Sequence, residues 1–320
     1  MKLGVLTVPL AGMPLRDALK FLRSLGVEAV ELGSGGVTND AHCKAKELLK
    51  HPEQVRELKE LLAENEMEIS ALSCHGNPVH PRRELAEKDH EAFVDTVELA
   101  GLLGVDTVVT FSGCPGDGTG AAHPNWVTCP WPPEYSQVLA YQWDEVLIPY
   151  WQRAAGIARQ GGVKVAIEMH PGFCVYNPET MLRLRAAAGE EIGANFDPSH
   201  LFWQGIDAVA AIRELGDAIY YVHAKDCRLE MENVSRHGVI DTKHYGDELN
   251  RSWIFRTVGC GHGAQVWNDI VSTLRMVGYD GAISIEHEDS LMSVAEGLEK
   301  AVAFMQGVLI RQAPAQMWWA

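Results

Sequence analysis

This chain of 320 residues has no Cys-x-x-Cys pair, no surplus of basic residues and no long apolar run. Its seven cysteines (Cys43, Cys74, Cys114, Cys129, Cys174, Cys227, Cys260) are odd in number and scattered. That pattern argues against a disulfide framework and reads as the reduced thiols of a cytoplasmic protein. Positive charge is scarce: Lys+Arg 27 against Asp+Glu 43 gives a net charge of -16, which leaves no basic footprint for a nucleic-acid partner. No apolar stretch approaches the roughly 20 residues needed to cross a bilayer, so no membrane association is expected. The first apolar run, MKLGVLTVPLAG, follows no charged leader or cleavage site, and a signal peptide is not expected either. The GSGG stretch from Gly33 to Gly36 lacks the spacing of a phosphate loop and reads as a tight turn.

What is present is regular alternation. Short apolar runs near 3–8, 29–33, 69–74, 107–112, 163–168, 192–197, 219–224 and 282–286 read as strands. Helical patterns over 14–25, 52–65, 87–103, 139–160, 178–188, 207–215, 265–277 and 291–311 separate them. Asn177-Pro178-Glu179 fits a helix start, and Gly26, Gly104 and Gly278 fit helix ends. Eight such units predict an α/β fold of the (β/α)₈ TIM-barrel class, one domain over 1–320, in preference to an open doubly wound sheet. A barrel needs roughly 250 residues. The excess falls in two loops, Gly113 to Tyr135 after the fourth strand and Asp226 to Arg256 after the seventh. The first is rich in Gly, Pro and Trp (Trp126, Trp131) and is expected to be an ordered lid or an interface, to a second copy or to a partner subunit.

Four of the runs end in a potential metal ligand: VKVAIE at Glu168, IGANFD at Asp197, IYYVH at His223 and AISIE at Glu286. Inward-facing residues at barrel strand ends converge on the axis. Two Glu, one Asp and one His suit one divalent metal ion such as Mn²⁺, Mg²⁺ or Co²⁺. Alternation puts His170, Lys225 and Glu288 on the same face, with His200 and His75 at the rim, as a polar bowl for a polyhydroxylated small molecule. A cation bridging a hydroxyl and a carbonyl oxygen acidifies the C–H between them and stabilises the enediolate. Glu168 and Glu286 are then the acid/base pair. The GCGHG stretch from Gly259 to Gly263 is expected to be a loop bend whose amides touch an anionic group.

Ile167-Glu168, FDPSH (Phe196 to His200), VHAKD (Val222 to Asp226), VGCG (Val258 to Gly261) and SIEHE (Ser284 to Glu288) together resemble the xylose isomerase-like TIM barrels known as sugar phosphate isomerases/epimerases. The resemblance to the ketose 3-epimerase branch implies Glu168 and Glu286 as ligands and proton shuttles, and Asp197 and His223 as ligands. It further implies His200 as a substrate contact and Arg228 as the counterpart of a substrate arginine. MHPGF after Glu168 departs from that branch's Asn-Arg-Phe-Glu. A second branch, inosose dehydratases and C-glycoside-cleaving enzymes, implies elimination from keto-sugars, keto-inositols or 3-keto-glycosides, with His123 or His170 as an added acid and the Trp-rich loop as an aromatic mouth. Endonuclease IV-type enzymes are set aside because WIFRTVG (Trp253 to Gly259) lacks their Asp-x-His. Xylose isomerase proper is set aside for want of its Lys-Pro-Lys-Glu motif. A non-catalytic partner subunit is the remaining reading, against which the intact glutamate pair counts.

Overall fold

Each apolar run forms a strand flanked by helices on its outer side. The computed structural model describes residues 1–319; Ala320, the last residue of the expected 1–320 domain, lies outside them. The strands are β1 (Lys2–Leu6), β2 (Ala29–Gly33), β3 (Glu68–Ser73), β4 (Thr107–Phe111), β5 (Lys164–Glu168), β6 (Ile192–Phe196) and β7 (Ile219–Ala224), then β8 (Asp226–Leu229), β9 (Trp253–Arg256) and β10 (Ala282–Ile285). β1 to β7 and β10 are parallel and follow chain order around a closed barrel, whose seam is the pairing of β1 with β10. β8 and β9 make a separate antiparallel ribbon. The expected (β/α)₈ barrel is therefore the fold.

Local chemistry sets the helix ends. Asn177 caps helix Pro178–Ala188 by accepting from the Thr180 amide, while the Thr180 hydroxyl accepts from the Asn177 amide, a reciprocal capping box. Gly26 and Gly104 end their helices in the left-handed region at φ 85° and 78°, where a Cβ would be strained. Helix limits differ more than strand limits: the helix expected over 87–103 starts at Arg83, and that expected over 291–311 is Val294–Val308. The segment expected over 139–160 starts earlier, at Glu134, and passes through a π turn over Tyr141–Leu147 before continuing as Ile148–Gly161. Pro149 explains the widening, since it has no N–H to close an ordinary turn.

The barrel interior is built by alternation, with every second strand residue pointing at the axis. Ala29, Ala71, Val109, Ala166 and Ala282 pack with Tyr221 in a small buried cluster of their own. Two residues further along the same strands stand Glu31, Ser73, Phe111, Glu168, His223 and Ser284. The interior thus turns from small and apolar to polar toward the C-terminal ends of the strands. Outward-facing Val, Ile and Leu join the helices in one continuous core that includes the fully buried Trp151 and Trp267. Among the described residues no helix is long and apolar enough to cross a membrane.

The GSGG stretch is the tight turn expected. Gly36 has φ +66°, and a Cβ there would lie 1.9 Å from the His75 carbonyl oxygen, the acceptor for the Val37 amide. Gly36→Ala is therefore expected to lose about 2 kcal/mol or more of unfolding free energy through strain and overlap. Gly12→Ala, in open space at an ordinary φ, is the control. Chemical denaturation of both variants checks this.

Candidate metal centre and its pocket

The strand ends bring together the four residues singled out by sequence. Glu168 is the last residue of β5, Asp197 follows β6, His223 lies in β7 and Glu286 follows β10. One ligand atom from each lies within 4.8 Å of the other three. Glu168, Asp197 and His223 are buried, and the Glu286 side chain is 13% exposed toward the pocket. Asp197 also caps the short helix Pro198–Phe202, accepting from the Ser199 amide at 2.8 Å, so one of its oxygens is fixed by the backbone.

The remaining donors sort themselves around these carboxylates. His75 Nε2 lies 2.8 Å from Glu168 Oε2 and His200 Nε2 lies 3.1 Å from Glu168 Oε1. His223 Nδ1 faces the cluster, 3.0 Å from Glu286 Oε2 and 3.4 Å from Glu168 Oε2. Lys225 Nζ bridges Glu286 Oε1 at 3.3 Å and Glu288 Oε2 at 2.7 Å. Two oxygens remain without a hydrogen bond although buried, Asp197 Oδ2 and Glu286 Oε2. The approaches of His200 to the first (3.2 Å) and of His223 to the second lie off the hydrogen-bond axis. Two unsatisfied carboxylate oxygens, beside an imidazole and a third carboxylate, make a donor set that could hold a metal ion. The residues fit such an ion.

Protonation follows from these contacts. Burial pushes Asp197 up to about 6, and the neighbouring His200 and Lys225 offset only part of it. Burial would also raise Glu168, but the hydrogen bonds from His200, His223 and His75 outweigh it and hold the carboxyl well below its usual range. Glu286 is likewise opposed by burial, yet Lys225 beside it brings it down to about 2. Burial disfavours charged Lys225, but Glu286 and Glu288 hold it well above its ordinary value. Buried His170, with His200 next to it, drops to about 3 and is neutral.

Above this floor opens a cavity of about 610 Å³. His75, Glu168, His170, Lys225, Glu286 and Glu288 line its polar side. Leu6, Val8, Val37, Phe111, Tyr245, Ile254 and Phe255 form an apolar collar. His200 sits behind the floor, with its ring 4.0 Å from that of His170. Of the expected substrate contacts, His75, His170 and Lys225 reach the cavity, and His200 reaches only the carboxylates. Arg228 is a correction: it lies on β8, where it pairs with Glu230, its side chain is 47% exposed, and it does not line the cavity. β8 leaves the barrel for the ribbon, so barrel alternation does not extend to it.

The loop after β4 is not a lid over the cavity. No residue of 113–135 lines the cavity, and His123 is exposed. That loop is pinned to the barrel side: Gln142 Nε2 donates to the carbonyls of Pro115, Gly116 and Asn125, and Trp126 packs edge-on against Tyr176. It is the loop after β7 that adds to the collar, through Tyr245 and the ribbon residues Ile254 and Phe255. The GCGHG amides do meet an anion, but it belongs to the protein: Gly259, Gly261 and His262 donate to Asp226 Oδ2.

One residue passes unread in the sequence. Glu31, in the middle of AVELG, is fully buried and accepts from His223 Nε2 (2.9 Å) and Ser284 Oγ (2.8 Å), with Ser73 Oγ also on it. The signal available was a lone acid at an inward position of an otherwise apolar strand.

Comparison with known proteins agrees with the geometry. The chain is 42% identical over 305 residues to the uncharacterised protein YfiH of Bacillus subtilis (strain 168), covering 94% of this chain and 97% of that one. Among solved structures it resembles the probable 3-DHS dehydratase AsbF of Bacillus anthracis, with TM-score 0.65, 18% identity and coverage of 96% and 99%. A D-tagatose 3-epimerase-like protein superposes at TM-score 0.63 with 20% identity, covering 96% and 98%. The family model of xylose isomerase-like TIM barrels matches residues 19–308. With its closed parallel barrel and its Glu, Asp, His and Glu at four strand ends, the chain belongs to the xylose isomerase-like TIM barrel family.

Proposed function

We propose that this protein is a divalent-metal-dependent enzyme that isomerises or epimerises a polyhydroxylated keto-substrate by removing a proton beside its carbonyl. The observation that carries this reading is the pair Glu168 and Glu286, ionised carboxylates on strands separated by β6 and β7, both facing one cavity. Glu168, Asp197, His223 and Glu286 would hold the ion. When bound, a divalent cation supplies Lewis-acid polarisation of a carbonyl, which makes the neighbouring C–H acidic.

The chain's own groups do the rest. Glu286, whose Oε2 would face the ion, would take the carbon-bound proton on Oε1, the oxygen beside Lys225. Glu168 approaches from the other side, with His75 and His200 on its two oxygens as the route by which it gains or loses a proton. Removal by one carboxylate and return from the other inverts a carbon; return to the former carbonyl carbon, with the hydroxyl proton passing to the former carbonyl oxygen, moves the carbonyl. Lys225 and neutral His170 are placed to bind hydroxyls.

A second reading, elimination by a lyase or dehydratase, is favoured by the apolar collar. A bare sugar has little use for Leu6, Val8, Val37, Ile254 and Phe255, whereas a substrate with an apolar leaving group does. Loss of that group needs an acid, for which Lys225 and a protonated Glu168 stand nearest.

Glu286→Gln is expected to lower turnover by about 10²–10⁴-fold and to weaken metal binding as well, because one side chain serves both roles. Deuterium uptake from solvent by ketoses, keto-inositols and 3-keto-glycosides, followed by NMR, measures the first, and calorimetry with Mn²⁺ the second. Full activity in that variant would contradict the two-glutamate reading. An epimer or isomer as product supports the first reaction, and an unsaturated product the second.

Metal binding is expected to release protons. Asp197, pushed up to about 6, must lose its proton to act as a ligand, so below about pH 6 affinity falls by about tenfold per pH unit through this group alone. Burial opposes charge on His223, but Glu31 and Glu286 hold its imidazolium well above the usual range, so its proton is displaced at neutral pH as well. Calorimetry in buffers of different ionisation enthalpy should give about one proton released at pH 7.5 and about two near pH 5. A count of zero at both would remove Asp197 and His223 from the ligand set.

A further inference from the structure

We propose that Glu31 is a positioning residue that fixes the His223 imidazole with Nδ1 toward the carboxylates and thereby sets the affinity of the ion site. The inference rests on the metal reading above. His223 Nε2 lies between both oxygens of Glu31, at 3.1 and 2.9 Å. That arrangement requires Nε2 to carry the hydrogen. Nδ1, on the opposite edge of the ring, then faces Glu286, Glu168 and the side-chain nitrogen of Asn195, the last at 3.0 Å, as the edge that would ligate the ion. Ser284 and Ser73 donate to Glu31 from the neighbouring strands and fix the carboxylate in turn. The ring is fully buried and meets Tyr221 edge-to-face at 5.8 Å.

A merely polar plug for the barrel would not need a carboxylate. Glu31 is fully buried, and among the described residues its only ion-pair partner is His223. Burying a charge is tolerated where it is paired and hydrogen-bonded. Here His223 Nε2 and the hydroxyls of Ser284 and Ser73 supply those bonds. With Nδ1 as the ligating edge, the Nε2–H would still bind Glu31. Carboxylate partners of this kind orient a ligating imidazole and raise its basicity.

The test is metal titration of chelator-stripped protein, with Mn²⁺ by calorimetry and with Co²⁺ by its visible absorption. Glu31→Gln is expected to bind about 10- to 100-fold more weakly and to shift the Co²⁺ bands, with the stripped variant still folded by circular dichroism. Affinity within about twofold of wild type, with an unchanged spectrum, overturns the inference while leaving the metal reading intact. Absence of metal binding by the wild-type protein overturns both. The coupling is equally decisive. In a His223→Ala background the effect of Glu31→Gln should shrink below about threefold, whereas an undiminished effect means that Glu31 acts through something else. Should Glu31→Gln fail to fold, Ser284→Ala removes one donor from Glu31 and leaves His223 untouched. It is expected to weaken Mn²⁺ binding by about three- to tenfold, and wild-type affinity there overturns the inference.

Discussion

Mutual repulsion among buried carboxylates governs the upper half of this barrel. Glu168, Asp197 and Glu286 bring oxygens within 4.8 Å of one another, where two unit charges repel by about 3–4 kcal/mol at an effective dielectric constant near 20. Glu31 adds a fourth carboxylate on the far side of His223. The surrounding features read as answers to that repulsion. Lys225 is buried against Glu286, three imidazoles crowd Glu168, His223 is held charged, and Asp197 keeps its proton to about pH 6. A divalent cation would deliver two positive charges to the point where these devices converge, and would release the protons now standing in for it.

The positions of these groups come from strand alternation, and this is why so much of the fold and site could be read without coordinates. A charged residue closing an apolar run is conspicuous, and four in succession mark one end of a barrel. The strand limits agree within a residue or two for the same reason: Val, Ile and Ala runs bounded by Gly or Pro have few other ways to fold. Glu31 stays hidden because its partner, His223, is 192 residues away and nothing local announces the pair. Arg228 misleads for the opposite reason. Its place two residues beyond Asp226 looks like more of the same strand, but the chain has already turned into the ribbon.

Composition does not tell which loop walls the cavity. The tryptophan-rich segment after β4 draws attention, yet its buried contacts run to Gln142 and Tyr176 on the flank, and Trp131 stays 74% exposed on the outside. The plainer segment after β7 builds the cavity wall, because an antiparallel ribbon is stiff enough to hold Ile254 and Phe255 over the opening while Tyr245 stacks on Phe255. Asp226, at the start of the ribbon and three residues after His223, holds the chain that leaves the ribbon through the backbone amides of Gly259, Gly261 and His262. The wall is thus anchored to the floor.

The seam between β1 and β10 has a further meaning for the order in which the protein is made. Of the four convergent side chains, Glu286 is the last in the chain, and it reaches its place only when β10 inserts between β7 and β1. On the ribosome, three of the four groups emerge well before the barrel can close. An unfinished chain therefore carries an incomplete claw, with Glu168, Asp197 and His223 but neither Glu286 nor the clamp it forms with Lys225. Capture of an ion would then be a report that synthesis and closure are both complete.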